Sequence, residues 1–442
     1  MLAVVALAVL RGPMTTQRFS IDESRWISTS RYFWITLVDR DVFGSAWQPN
    51  YLIMTQPPVA RYLIGFGLWF QGWAPDELNG RYDSLEPYSW NFARGNVPSQ
   101  ELLRAARRVL LVFAVGAVLL LYLVGRTLGG PAAGIVAAAL ALANPLLSTL
   151  WTRALAESVL AFFTLLALLL ALRSLPRTRD DGRSDSRPLF AGVALGLAAA
   201  TKLSGGLGAV GLAIFGALQQ AFALVRTRRP LEVKHWFHLG SAAVIVFVVV
   251  NPLLYPDPFG RARALYEHRR DEMLQQQATW PNQAVPANLA TRAATIARRT
   301  FGEYVVVRGF GPLSPDAVLV AAGMVVALVG AWREMWRVRT PGMWTLFVCW
   351  IVATYAIITA NLGFDSTHYY APLVTLNTIL SGVAVSVAVR WFGARAQMVQ
   401  APFRKSGSRT SQTTAMTPMP TSASGPLAPR SSSAIVETEP TG

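Results

Sequence analysis

Cysteine is nearly absent from this chain of 442 residues: only Cys349 carries a thiol, so an intrachain disulfide and a cysteine-based metal cluster are both excluded. Cys349 lies inside the apolar run Met343 to Asn361, where it reads as a small lipid-facing or core residue. Histidine is almost as scarce, with His235, His238, His268 and His368. The one close pair, His235 and His238, flanks an apolar run beside Lys234, which suits interfacial anchoring better than metal ligation. Acid is short too, with 24 Asp and Glu against 40 Lys and Arg, for a net charge of +16. The bases sit at the ends of apolar blocks rather than on one amphipathic face interleaved with aromatics. Membrane topology, and not a nucleic-acid partner, therefore accounts for the charge.

What is abundant is apolar: 52% of the chain is hydrophobic and 14% charged. Nine runs reach or approach the length that crosses about 30 Å of hydrocarbon at about 1.5 Å per helical residue. They cover roughly 108–126, 131–150, 154–172, 189–201, 203–225, 236–254, 315–331, 342–361 and 369–389, the fourth being short. Alternate connections are unequal in charge. One set holds Arg126, then Arg173, Arg177, Arg179, Arg183 and Arg187, then Arg226, Arg228, Arg229 and Lys234, then Arg333, Arg337 and Arg339. The positive-inside bias makes that set cytoplasmic. The opposite turns carry only Arg153 and Lys202, and residues 363–367 carry no base. The same parity puts the long loop 255–313 outside, and the C-terminal tail inside, with Arg390 and Arg395 at its membrane edge.

Two segments are ambiguous. Met1 to Leu10 offers ten apolar residues, too few for a full span, and lacks both a basic leader and a convincing small-residue cleavage site, so it reads as a clipped or mis-started first span. Val59 to Trp73 is aromatic-rich and interrupted by Arg61, and reads as a helix lying in the interface. If it crossed instead, Asp22 would move to the cytoplasmic side. The expected architecture is all-α and polytopic, with about ten spans and juxtamembrane helices in the first outer loop.

Among the few acids, Asp22 and Glu23 stand side by side directly after the first apolar segment. Adjacent carboxylates do not share a helix face, so one can serve a reaction while the other organises the loop; a solvated loop start or helix cap is the plainer alternative. Thr55-Gln56-Pro57-Pro58 supplies a rigid start to the interfacial helix. Arg104, Arg107 and Arg108 gather before the second span on the outer side, against the charge bias, where they can hold a lipid phosphate or simply anchor to headgroups. Arg153, Glu157 and Lys202 lie near outer ends of spans, and His368, Tyr369 and Tyr370 open the last one. Ionisable groups at that depth are costly and tend to be paired or functional. Arg153 and Glu157, four apart, can also satisfy each other on one face.

These pieces, in this order, resemble the protein O-mannosyltransferase and aminoarabinose-transferase group of the GT-C glycosyltransferases. They are Ile21-Asp22-Glu23-Ser24, Gln56-Pro57-Pro58-Val59-Ala60-Arg61-Tyr62-Leu63, the arginine-led second span, Thr152-Arg153-Ala154-Leu155-Ala156-Glu157, Ala200-Thr201-Lys202-Leu203-Ser204-Gly205 and His368-Tyr369-Tyr370-Ala371-Pro372-Leu373. Gln56 stands where the group usually has histidine, and the loop 255–313 is too short for the extra sugar-binding-like domain of eukaryotic members, which points to a bacterial enzyme with a different acceptor. The resemblance implies a GT-C bundle over residues 1–390, with a first outer loop at 11–107 and a second at 255–313.

It further implies an inverting transfer of a sugar, mannose by family weight, from a polyprenyl-phosphate carrier to a hydroxyl of a protein Ser/Thr or an envelope glycan or lipid. Asp22 would be the general base and Glu23 would orient acceptor or loop. Arg104, Arg107, Arg153, Lys202, His368 and Tyr369 would bind the donor, with Arg107 first among the arginines, and Gln56, Pro57 and Pro58 would be structural. No obligatory metal is expected, though paired carboxylates leave a divalent ion open, and no nucleotide-binding domain is visible. The expected place is a bacterial plasma membrane, with the site on the extracytoplasmic side. The rival class is a lipid or sugar transporter or flippase; internal repeats and mid-span charges would mark it, and neither is evident. A non-catalytic assembly subunit is the third reading. From about Arg404 the chain turns to Ser, Thr, Pro, Ala and Gly, and residues 391–442 read as a disordered cytoplasmic tail. The topology predicts that a cysteine introduced beside Asp22 reacts with an impermeant thiol reagent in intact cells; labelling only after lysis would reverse the orientation.

Overall fold

The apolar runs are rich in Ala and Leu, good helix formers, and are bounded by Pro, Asn, Gly and Ser, so each closes its own backbone hydrogen bonds as hydrocarbon demands. The computed structural model describes residues 1–175, 186–228, 234–309 and 314–405. Seventeen α-helices are found there: α1 (Leu2–Thr16), α2 (Ile21–Thr29), α3 (Tyr51–Thr55), α4 (Val59–Phe70), α5 (Tyr88–Ala93), α6 (Gln100–Gly129), α7 (Pro131–Ala143), α8 (Pro145–Trp151), α9 (Glu157–Ser174), α10 (Arg187–Thr201), α11 (Leu207–Thr227), α12 (Lys234–Val249), α13 (Pro258–Thr279), α14 (Leu289–Arg298), α15 (Pro315–Arg333), α16 (Met343–Asn361) and α17 (Thr367–Lys405). Among the described residues there is no β-strand, only an isolated antiparallel bridge between Ala284 and Phe364. The chain is an all-α, multi-pass membrane protein.

All nine apolar runs are helical. Six helices, α6, α9, α11, α15, α16 and α17, are long and apolar enough to cross a membrane, and α7 with α8 makes a seventh if the bent pair is one span. That pair turns by 73° at Asn144, whose side chain accepts from the backbone N–H groups of Leu146 and Leu147 and so caps α8. Helices α10 and α12, of 15 and 16 residues, fall short of a full crossing by length alone. Helix α4, at 12 residues, is shorter still, consistent with a helix along the interface. The N-terminal apolar stretch continues as helix to Thr16, past an internal Pro13.

The core forms where α6 packs on α1, α7 and α9, and where α10 packs on α9 and α12. Helix α17 is the most enclosed of the six, with 72% of its apolar window buried, against 22% for α11 and α15. Two glycines permit close approaches at the centre of the bundle: a Cβ at Gly134 would come within 2.4 Å of the Tyr122 carbonyl oxygen, and one at Gly382 within 2.3 Å of that of Ala133. These contacts bring α6, α7 and α17 together.

By contact the chain divides into residues 1–391, which hold the bundle, and residues 392–442. Of the latter, residues 392–405 are helical, so helix extends past the point where the sequence suggested disorder. The rest of the expected tail, 406–442, lies outside the described residues, as do parts of two Arg-rich connections, 176–185 and 229–233.

Gly134→Leu is expected to drive α6 and α7 apart and remove the monodisperse peak in detergent size-exclusion chromatography. Gly240→Ala, with nothing within 4 Å of its Cβ, is expected to leave that peak unchanged.

Candidate active site

Helix α2 is short because it is polar: Ile21-Asp22-Glu23-Ser24-Arg25 starts on Ser20, whose backbone N–H donates to Glu23 Oε2 at 3.0 Å. Adjacent positions on a helix point about 100° apart, and the two carboxylates separate accordingly. Glu23 is fully buried. Its Oε1 and Oε2 receive Arg107 Nε and Nη2, both at 2.7 Å, and Oε1 also receives the Ala154 backbone N–H at 2.9 Å. Arg107 spends its remaining donors on the carbonyls of Met14, Gln17 and Arg18. Every polar atom of this pair is used within the fold, so Arg107 is a strut and not a free phosphate ligand. The same geometry keeps Glu23 out of the cavity lining and leaves it organising the loop, the second of the two roles expected for it.

Asp22 faces the other way, its side chain 43% exposed, into a cavity of about 540 Å³. Its Oδ2 lies 3.4 Å from His368 Nε2, and its Oδ1 lies 3.9 Å from Arg25. His368 Nδ1 meets Glu157 Oε1 at 2.7 Å, and the same oxygen takes Lys202 Nζ at 2.9 Å. Both ring nitrogens of His368 thus face carboxylates, and the imidazolium is the form in which both donate. Lys202, Glu157, His368 and Asp22 form one chain contributed by the α10–α11 turn, α9, α17 and α2. Arg153, the sequence-level partner of Glu157, is not part of it, and its Nε is buried without a partner.

Desolvation by the surrounding protein raises the pKa of Asp22, but the hydrogen bond and charge of His368, with the charge of Arg25, outweigh it. The carboxyl is held below its ordinary value.

The remaining candidates divide. Gln56 and Tyr369 line the cavity, and Pro57 lines a small annex shared with Lys202 and His368. Pro58 starts α4 at its N-cap. Arg104 is exposed on α6 and lines neither space. Among the cavity residues missed from the sequence are Arg25, Tyr51, Arg269 and Glu272. Arg25 stands three positions from Asp22 on one helix face, a spacing that could have flagged it. Arg269 and Glu272 are likewise three apart on α13, where Arg269 donates to Glu272, whereas Tyr51, whose hydroxyl also donates to Glu272, had no such mark because that contact joins residues more than 200 positions apart in sequence. A narrow apolar cleft lined by Leu160, Leu165, Gly208, Trp350 and Leu376 reaches Glu157 from the bundle, so Glu157 borders both spaces.

Residues 35–260, about half of the chain, match the sequence profile of the dolichyl-phosphate-mannose-protein mannosyltransferases. The chain belongs to that family. No curated protein matches it over its sequence. Among solved structures it is similar to ArnT from Cupriavidus metallidurans bound to undecaprenyl phosphate, at 16% identity and a TM-score of 0.50 over 91% of this chain and 64% of that one. It is also similar to the oligosaccharyltransferase of Archaeoglobus fulgidus in complex with zinc and sulfate, at 16% identity and a TM-score of 0.53 over 91% and 51%. The same archaeal enzyme, AglB, with an inhibitory peptide and a dolichol-phosphate, matches at 14% and 0.51 over 93% and 52%. This member of the mannosyltransferase family therefore has the GT-C fold and spans between half and two-thirds of the length of those structures.

A metal, as in the zinc complex, would need a gathered donor set. Among the described residues no three His, Cys, Asp or Glu side chains form one, and Glu23 is committed to Arg107, which leaves Asp22 without its neighbouring carboxylate as a second donor.

Removing one member of the Glu23–Arg107 pair leaves a buried charge, which costs about 3–5 kcal/mol. Glu23→Ala and Arg107→Ala are each expected to lower stability on that scale in denaturant unfolding of the detergent-solubilised protein, and the double variant is expected to be less unstable than the two losses added.

Proposed function

We propose that the chain is an inverting glycosyltransferase that moves a sugar, mannose by family membership, from a polyprenyl-phosphate carrier to a Ser or Thr hydroxyl of a protein. The expected setting is the extracytoplasmic face of a bacterial plasma membrane. One observation carries the reading: the Asp22 carboxylate opens on a polar cavity that adjoins an apolar cleft at Glu157, the shape of an amphiphile with a sugar phosphate at one end. The ligands named for the similar structures, undecaprenyl phosphate and dolichol-phosphate, are of that kind.

In this mechanism Asp22 takes the proton of the acceptor hydroxyl as its oxygen attacks the anomeric carbon from the face opposite the carrier. The bond from that carbon to the phosphate oxygen breaks, and the carrier leaves with the electron pair as polyprenyl phosphate. Charge develops on the phosphate, so fixed cations are the groups that favour the transition state. Arg25, Lys202 and Arg269 line the cavity and can serve. Lys202 and His368 are already drawn to Glu157, which orders them before the donor arrives. His368 keeps Asp22 ionised and aimed, a positioning role in place of the donor-binding role that the resemblance suggested. Arg104 and Arg107 are left out of the chemistry.

The assay is transfer of labelled mannose from a polyprenyl-phosphate carrier to a Ser/Thr-rich peptide by the purified protein. A general base contributes about 10²–10⁴ in rate, so Asp22→Asn is expected to lose transfer on that scale with its fold intact. Near-normal transfer by the folded variant would remove Asp22 from the mechanism.

The pH profile is a separate check. Because Asp22 is held below its ordinary pKa, the wild-type activity is expected to persist into acid and to fall only as pH drops through that lowered value. His368→Ala removes the main lowering contact and is expected to move the acid limb to higher pH.

A further inference from the structure

Just before His368, the turn between α16 and α17 is gripped by the second outer loop through contacts that lie outside the Lys202–Asp22 chain. Its backbone pairs with residues 283–285: Val285 N–H donates to Gly363 O at 2.9 Å and Asp365 N–H to Gln283 O at 2.8 Å. Gln277 Nε2 adds a bond to the same Gly363 oxygen at 2.7 Å. The Asp365 side chain, only 12% exposed, receives Arg299 Nε at 3.0 Å on both oxygens and the Tyr370 hydroxyl at 2.6 Å. Arg299 also binds Glu303. The Tyr370 ring is fully buried, against Tyr304 at 5.8 Å, and the Tyr304 carbonyl accepts from Asn144 Nδ2, the residue at the bend between α7 and α8.

This arrangement brackets His368. Asp365 stands three residues before it and Tyr370 two after it, and the two are bonded to each other. Meanwhile Trp280, Gln283 and Phe364, from the two sides of the backbone pairing, form part of the wall of the catalytic cavity. A histidine that must present one nitrogen to Glu157 and the other to Asp22 tolerates little drift in its backbone, and the Asp365 contacts, with the backbone pairing to residues 283–285, hold the preceding turn in place.

We propose that Asp365, held by Arg299 and Tyr370, is a positioning residue for the transfer reaction, fixing the start of α17 so that His368 spans Glu157 and Asp22. It touches neither donor nor acceptor. The second outer loop is then part of the catalytic frame, not only a cover over the cavity. The inference rests on the glycosyltransferase reading above.

The charged and titratable groups around the two ends of this arrangement are few. Asp22 is faced by His368 and Arg25, with Glu157 beyond the ring; Asp365 is faced by Arg299, Arg298 at 3.6 Å, and Tyr370. If Asp365 acts through His368, its loss loosens the imidazole from Asp22, and the Asp22 pKa rises toward its ordinary value.

The test uses the full chain in detergent with polyprenyl-phosphate mannose and a Ser/Thr-rich peptide, comparing wild type, Asp365→Asn and the milder Tyr370→Phe. Small misplacement of a catalytic group costs about 10–100-fold, so kcat is expected to fall by that factor in Asp365→Asn and by less in Tyr370→Phe. The KM for the donor is expected to stay within about twofold, and the acid limb is expected to shift upward as in His368→Ala. A fall in rate with an unmoved acid limb would mean a merely structural residue, and no fall in either folded variant would mean no role; each overturns the proposal. If Asp365→Asn does not fold, Tyr370→Phe decides by the same limb. Absence of transfer by wild type would instead strike the glycosyltransferase reading itself.

Discussion

A buried ion pair between Glu23 and Arg107 is the joint on which the candidate site of this protein depends. Through it α2 is tied to α6, to the carbonyls that end α1, and to the backbone at Ala154 just before α9. Charge taken out of water is tolerated only when its hydrogen bonds are complete, and here they are complete on both partners. The consequence reaches Asp22. With Glu23 locked inward, the helix geometry of α2 leaves its neighbour one direction to face, and that direction is the cavity. A buried, fully bonded carboxylate thus sets the orientation of the one proposed as general base.

The second organising element is Glu157. It sits at the start of α9, enclosed by the bundle, and gathers Lys202 from the turn after α10 and His368 from α17. Each of these helices arrives from a different part of the sequence, and the ionic chain they build ends at Asp22. Glu157 is enclosed while Asp22 is open to the cavity on one side. Where the apolar cleft meets the cavity at Glu157, the lining changes from charged and polar side chains to apolar ones. That junction suits a lipid-linked donor better than a soluble one, whose recognition would not need the cleft.

Much of this was legible in the order of residues. Hydropathy runs located nine apolar helical segments, one of them the bent pair α7 and α8, because a chain in hydrocarbon must satisfy its backbone within each segment. The pieces around Asp22, Pro57, Glu157, Lys202 and His368 pointed to the GT-C group, and the structure brings all of them to one region except for the division of roles. Reading Glu23 and Arg107 as functional groups was natural, since adjacent acids and a cluster of arginines carry no mark that says which of them is buried. Arg104 and Arg107, three apart on α6, end in opposite states, one exposed and one enclosed, and only packing distinguishes them. Arg269 and Glu272, three apart on α13, were open to pairing from spacing alone, whereas the Tyr51–Glu272 and Arg299–Asp365 contacts were silent because those partners are distant in sequence.

The sequence by itself determined the class of protein, its apolar helical segments, and the pool of ionisable residues from which a site could be drawn. All three follow from local chemistry: hydrophobic length is a property of a segment, and scarce charges in an apolar chain stand out one by one. Tertiary structure alone decided which carboxylate faces the cavity, which arginine is a strut, and that His368 bridges Asp22 and Glu157. Those outcomes depend on distances between helices far apart in the chain, and such distances are set by the packing of the whole bundle.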